Sequence, residues 1–139
     1  MKASKLTPNF EVNNIKQTVG FYSKHFGFDL IMAVPASQDG VEQVFDENKE
    51  YVYAMVRKDN VELFFQQSSS FKQDIEFMKE LAIGASVSFY IEVEGINEFY
   101  ETLKSKDLQV TDLQTKWYGM QEFYTRDING YVIGFAEKI

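Results

Sequence analysis

WYGMQEFYTRDINGYVIGFAE, residues 117–137, is the stretch whose reading decides the fold. Met120–Thr125 alternates large apolar residues with polar or smaller ones, the pattern of a half-buried strand. Arg126-Asp127-Ile128-Asn129-Gly130 supplies a turn, and Tyr131–Ala136 runs on apolar as a second strand. Asn129-Gly130 is the strongest short-range hairpin signal in the chain, because both residues tolerate positive φ.

Working back from this hairpin, Val87–Val93 reads as a strand, Ile96–Lys106 as a helix and Leu108–Val110 as a short strand. The same series stands at the other end of the chain. Asn9–Val12 reads as a strand, and Asn13 or Asn14 caps the helix that follows, with Gln17 at capping-box spacing from Asn14. Ile15, Val19, Tyr22 and Phe26 form one apolar helical stripe that Gly27 ends. Phe28–Val34 is the next strand. Residues 35–49 are a polar loop, with Val41–Phe45 as a candidate short strand. Tyr51–Val56 and Val61–Gln66 follow as strands around a turn at Lys58-Asp59-Asn60. Lining up Phe10, Val12, Ile15 and Tyr22 with Ile91, Val93, Ile96 and Leu103 brings the halves into one order, strand–helix–strand–strand–strand. Between them, Phe71–Ala82 reads as a bridging helix capped by Ser70, with Phe71, Ile75, Met78 and Ala82 as its buried stripe. The expectation is one α+β domain over residues 1–139. It is built of two βαβββ modules, at about 5–67 and 86–138, joined by a helix at about 71–82.

Composition narrows the chemistry. The chain has no Cys, which removes disulfides, thiolate metal sites and Cys nucleophiles. Its single His, His25, cannot by itself make a His-rich zinc or iron site. Fourteen basic against twenty-one acidic residues give a net charge of −7, with no basic face for nucleic acid. No apolar run nears the roughly 20 residues that span a bilayer, and the N-terminus lacks the apolar core of a signal peptide, so the expected address is cytoplasmic. Thirteen Phe and eight Tyr point to β-rich structure with an aromatic-lined interior or groove.

The aromatic lead-in, the D-x-N-G-Y turn and the closing G-F-A-E of the hairpin resemble the C-terminal hairpin of the vicinal oxygen chelate superfamily. That superfamily holds glyoxalase I, bleomycin-resistance proteins, fosfomycin-resistance enzymes and extradiol dioxygenases. The opening T-P-N-F-E-V-N-N-I and the helix end F-Y-S-K-H-F-G-F look like the family's first strand and helix, so the resemblance spans about residues 5 to 138. It implies two modules whose mixed sheet curves around a cavity, with the helices outside. Metal-dependent members carry one ligand on each of four strands; by motif these positions are Thr7, Glu62, Ser88 and Gly134. Glu62 alone among them is a competent ligand, so no metal and no other cofactor is expected. The W-Y-G-M-Q-E-F segment looks like the metal-free bleomycin-resistance branch, which implies a homodimer that sequesters a drug in a groove between subunits without chemistry.

Strand alternation assigns the faces. Phe10, Val12, Leu63, Phe65, Phe89, Ile91, Phe123, Ile133 and Phe135 belong under the helices. The opposite parity, including Asn9, Glu11, Glu62, Phe64, Gln66, Tyr90, Met120, Glu122, Tyr124 and Val132, faces the cavity; the parity of Tyr51–Val56 stays open. The candidate ligand-binding residues are Glu62, Phe64, Tyr90, Trp117, Tyr118, Met120, Glu122 and Tyr124. Rings and carboxylates in this mixture suit a planar aromatic or cationic compound, an antibiotic among the possibilities. Bland alternatives stand beside each. Trp117 and Tyr118 could fill a core or a dimer seam, and Tyr90 and Phe64 could be plain core. Glu122 could pair with Arg126 or a lysine, and Glu62 could simply face solvent. The competing function is a lyase or isomerase of the same fold, with Glu62 and Glu122 as acid and base.

Overall fold

A computed structural model describes every residue of the chain except Ala85. The chain forms two compact units, Met1–Leu81 and Ala82–Ile139.

In the first unit, β1 (Asn9–Val12) leads into α1 (Ile15–Phe26), followed by β2 (Asp29–Pro35), β3 (Tyr51–Lys58) and β4 (Val61–Gln67). The sheet order is β1-β4-β3-β2, with β1 parallel to β4 and the other pairs antiparallel. The second unit repeats this plan. β5 (Ser88–Glu92) precedes α3 (Ile96–Lys104), then come β6 (Gln114–Thr115), β7 (Met120–Arg126) and β8 (Val132–Lys138), in the order β5-β8-β7-β6 with β5 parallel to β8. These two mixed four-stranded sheets with their helices are the expected α+β, twice-βαβββ architecture. The register makes Phe10 equivalent to Ile91 and Phe65 equivalent to Phe135, as the aligned halves require.

Local chemistry explains the element ends. Asn14 accepts from the Gln17 N–H at 2.9 Å and caps α1. Gly27 closes that helix at φ 73°, a conformation that disfavours any residue with a Cβ. α3 begins at Gly95, which has no side chain to cap it, so Glu137 of β8 accepts from the Gly95 and Ile96 N–H groups at 3.0 and 2.9 Å. Those bonds hold the Glu137 carboxyl below its usual range.

Each sheet buries one face beneath its helix. In the first unit Tyr22 of α1 sits among Phe10, Phe26, Phe28 and Phe65, with ring centroids 4.8–6.4 Å apart. In the second, Phe99 and Tyr100 of α3 pack on Phe123 and Phe135. Phe10, Val12, Leu63, Phe65, Phe123, Ile133 and Phe135 are all buried as alternation requires, whereas Phe89 and Ile91 are half-buried. The structure also decides β3. Ala54 and Val56 go to the core while Tyr53, Met55 and Arg57 take the other face, and Tyr51 is buried as well, its ring against Phe45 and its hydroxyl donating to Glu42.

Several readings need correction. The bridging helix at about 71–82 is instead α2 (Ser68–Asp74) followed by a 3₁₀ turn at Glu76–Met78, and residues beyond it are not helical. Its cap is Gln67, whose side-chain oxygen accepts from the Ser69 and Ser70 N–H groups, rather than Ser70; Ala82 is exposed. Leu108–Val110 is not a strand but a single bridge, Val110 to Thr125, and Val41–Phe45 reduces to one bridge between Ala33 and Glu42. In the closing hairpin, Gly130 alone of the Asn-Gly pair takes positive φ. The loop is organised by buried Asp127, whose carboxylate accepts from the Asn129 and Tyr131 N–H groups at 2.8 Å each. Among the described residues no helix is long and apolar enough to cross a membrane.

Candidate functional site

The face of each sheet turned away from its helix carries the residues of interest. In the second unit, β7 presents Glu122 and Tyr124 on that face and β5 presents Tyr90. Glu122 is 3% exposed and accepts two phenolic hydrogen bonds. Tyr90 Oη donates to its Oε2 at 2.8 Å and Tyr118 Oη to its Oε1 at 2.7 Å. A buried carboxylate is costly unless hydrogen-bonded, and here both oxygens are engaged by donors. The phenols respond. Tyr90 is pushed up to about 12, by desolvation first and then by its bond to Glu122; Tyr118 is pushed up to about 12, by that bond first. Burial and the Glu122 charge raise Tyr124 too.

Glu122 is covered, yet the rings that hold it keep much of their surface open: Tyr90 is 49% exposed and Tyr118 48%. Trp117, edge-on to Tyr118 at 5.4 Å, is 94% exposed, so it fills no core within the chain. Met120 is half-buried. The structure therefore brings Tyr90, Trp117, Tyr118 and Glu122 together, with Tyr124 within electrostatic reach. It gives Glu122 no ion pair with Arg126: two phenols hold it instead.

Beside Tyr124 lies a cavity of about 310 Å³ lined by Gln109, Val110, Thr111, Tyr124, Thr125, Arg126 and Val132. Its wall is pinned to the β7 edge by bonds from Thr111 N–H to the Tyr124 carbonyl (2.9 Å), Tyr124 N–H to Thr111 Oγ1 (2.8 Å) and Thr125 Oγ1 to the Gln109 carbonyl (2.8 Å). Tyr124 can lie across β8 because Gly134 is opposite it; a Cβ at Gly134 would fall 2.6 Å from Tyr124 Cε1. Reading by residue type missed this cavity, because Gln109, Thr111 and Thr125 look like loop and strand filler. The available signal was parity: Arg126 and Val132 share the face of Tyr124.

Glu62 and Phe64 belong to the first unit. Phe64 is half-buried beside Tyr53, centroids 5.5 Å apart. Glu62 does not simply face solvent: its side chain is 9% exposed, Arg57 donates to Oε2 through Nε at 2.9 Å and through Nη2, and Lys5 pairs with Oε1. A carboxylate engaged by two cations is a poor proton carrier. Of the four motif-derived ligand positions, Glu62 is thus spent on cations, Thr7 and Ser88 offer hydroxyls, and Gly134 offers nothing. Among the described residues no three His, Cys, Asp or Glu side chains gather within reach of one ion. This donor set does not fit a divalent metal.

A fold with this repeat and an aromatic, carboxylate-bearing sheet face has known relatives. The family model for the Glyoxalase/Bleomycin resistance protein/Dioxygenase superfamily matches residues 9–135, and the chain belongs to that superfamily. The bleomycin resistance protein of Geobacillus stearothermophilus is 28% identical over 134 residues, 95% of this chain and 95% of that protein. Among solved structures, the fold is shared with TnmS3, an antibiotic binding protein from Streptomyces sp. CB03234, at TM-score 0.66, 15% identity and full coverage of both chains. A bleomycin-binding protein solved in complex with bleomycin matches at TM-score 0.59 and 14% identity, covering 99% of this chain and all of that one.

Proposed function

We propose that this protein binds and sequesters a small aromatic or cationic compound, of antibiotic type, without metal and without chemical conversion. The observation that carries the reading is the Glu122 cluster. A buried carboxylate fixed by two half-exposed phenols, with Tyr124 and Trp117 alongside, is a rigid set of flat ring faces around a negative charge. Rings so placed stack on planar guests, and the charge beneath them strengthens cation–π contact. Similarity over 95% of the chain to a bleomycin resistance protein supports the same class of ligand. We place the binding groove at the interface of a homodimer, with exposed Trp117 as the side chain a second subunit would help to cover, and the protein in the cytoplasm. Acid–base chemistry by Glu62 and Glu122 is the weaker reading, since Glu62 is tied up by Arg57 and Lys5.

Trp117, touching Tyr118, is the natural reporter. Titration with a panel of antibiotics and aromatic metabolites should change its fluorescence and raise the unfolding temperature for at least one class. Native mass spectrometry of the freshly purified protein should show dimer mass. A flat fluorescence response across the whole panel sinks the sequestration reading; a monomer at working concentration sinks the interfacial groove alone.

A further inference from the structure

The register of the two sheets sets Arg57 and Arg126 at equivalent places, yet their fates differ. Arg57 stands opposite Glu62 on the ladder and spends its fork on that carboxylate. Arg126 stands opposite Val132. With an apolar residue where the counter-ion should be, its guanidinium makes no ion pair among the described residues, and Arg126 is one of the residues lining the cavity beside Tyr124. The other polar groups there are able to donate as well. Tyr124 keeps its proton, because burial and Glu122 raise it, and Thr111 and Gln109 add a hydroxyl and an amide. Glu122, in contrast, already has both oxygens engaged by phenols.

We propose that this cavity takes the anionic end, a carboxylate or phosphate, of an aromatic ligand, the ligand's anion giving Arg126 the counter-ion that Glu62 gives Arg57 in the first unit. The inference rests on the sequestration reading and specifies one end of its ligand. A guanidinium fork matches two anionic oxygens in one plane, and the Tyr124 ring offers a face to the aromatic body attached to them. The net charge of −7 does not oppose this, because screening at physiological salt confines each charge's field to about 8 Å.

The test uses three probes with one ring system, naphthoate, naphthyl phosphate and naphthamide, titrated calorimetrically into the intact chain. Both anions should bind about tenfold or more tightly than the amide, the span of a charge-assisted over a neutral contact. Arg126→Gln should erase that preference, bringing both anions to the level of naphthamide in the same variant, and Arg57→Gln should leave the preference intact. Equal affinity of all three probes for the unaltered protein overturns the inference but not sequestration, and so does an anion preference that survives Arg126→Gln. Failure of all three probes to bind also overturns it, and the antibiotic panel then decides separately whether sequestration stands.

Discussion

The two units share a topology and a register, and they differ in what their open faces do with polar groups. In the first, most polar groups are matched internally, Asn9 Oδ1 being a buried exception. Arg57 and Lys5 neutralise Glu62, Gln66 accepts a hydrogen bond from Asn9 and donates to Ser70 and Asp74, and Ser68 and Lys72 of α2 meet Glu11. In the second, the equivalents of Glu62 and Gln66 are Val132 and Ala136, and the equivalent of Tyr53 is Glu122. Neutralisation there is incomplete: among the described residues, phenols hold a carboxylate that no cation pairs, and Arg126 has no carboxylate partner. Duplication of a sheet thus yields one face closed by its own side chains and one with binding capacity to spare.

The largest expected effect tests whether the copies are equivalent in their cores. Phe65 and Phe135 occupy the same register position, and each is nearly inaccessible. Phe65→Ala and Phe135→Ala should each cost about 3–5 kcal/mol in chemical denaturation, the range for truncating a buried ring. A large loss in one and under about 1 kcal/mol in the other would mean the repeat is topological only.

A smaller effect sharpens the contrast between the faces. The first unit places Phe64 opposite Met55, so the ring comes from its fourth strand; the second places Gly134 opposite Tyr124, so the ring comes from its third. Gly134→Ala moves the second unit toward the first and drives a methyl to 2.6 Å from the Tyr124 ring. We expect a loss of about 1–3 kcal/mol from overpacking and weaker ligand binding, because Tyr124 must move. In a Tyr124→Ala background the same change should be near neutral, and a cost that persists there would place the strain elsewhere.

How much of this was readable in advance follows from how local each cause is. Alternation and helical stripes report burial directly, so Phe10, Phe65, Phe123 and Phe135 could be assigned to the core by pattern alone. Asn14 and Gly27 act on their immediate neighbours, and α1 came out with its ends. The short elements did not. α2 is capped by Gln67, a residue with weak capping preference, and its side chains are tied to Gln66 of β4 and to Glu11, which lies on a strand far away in sequence. The hairpin turn was placed correctly but for the wrong reason, since Asp127 accepts from two N–H groups and so relieves Asn129 of the need for positive φ. At the site, the rings and Glu122 were legible from parity. The two phenolic bonds and the unmatched Arg126 were not: Arg126 depends on which residue faces it across the β7–β8 ladder, the Tyr90 bond on two strands with β8 between them, and the Tyr118 bond on the path of the turn before β7.

The smallest expected effect bears on that pair of phenols and has a definite sign. The Tyr90 and Tyr118 phenols are pushed up to about 12 in the folded chain, against an ordinary tyrosine pKa of 10.0. A group whose pKa rises on folding favours the folded state in its protonated form. That contribution is complete below about pH 10 and drains away as pH climbs toward about 12. Tyrosinate absorbance should therefore show a late-titrating fraction that vanishes on unfolding. Glu122→Gln removes the charge that both phenols face while keeping a carbonyl acceptor, so the late fraction should shift toward ordinary tyrosine. The first unit's Tyr53 lacks such a neighbour and is raised by burial alone, so its titration should not move in that variant. If Glu122→Gln leaves the late fraction where it was, the charge is not its cause, and the distinction between a self-satisfied face and an open one loses its electrostatic half.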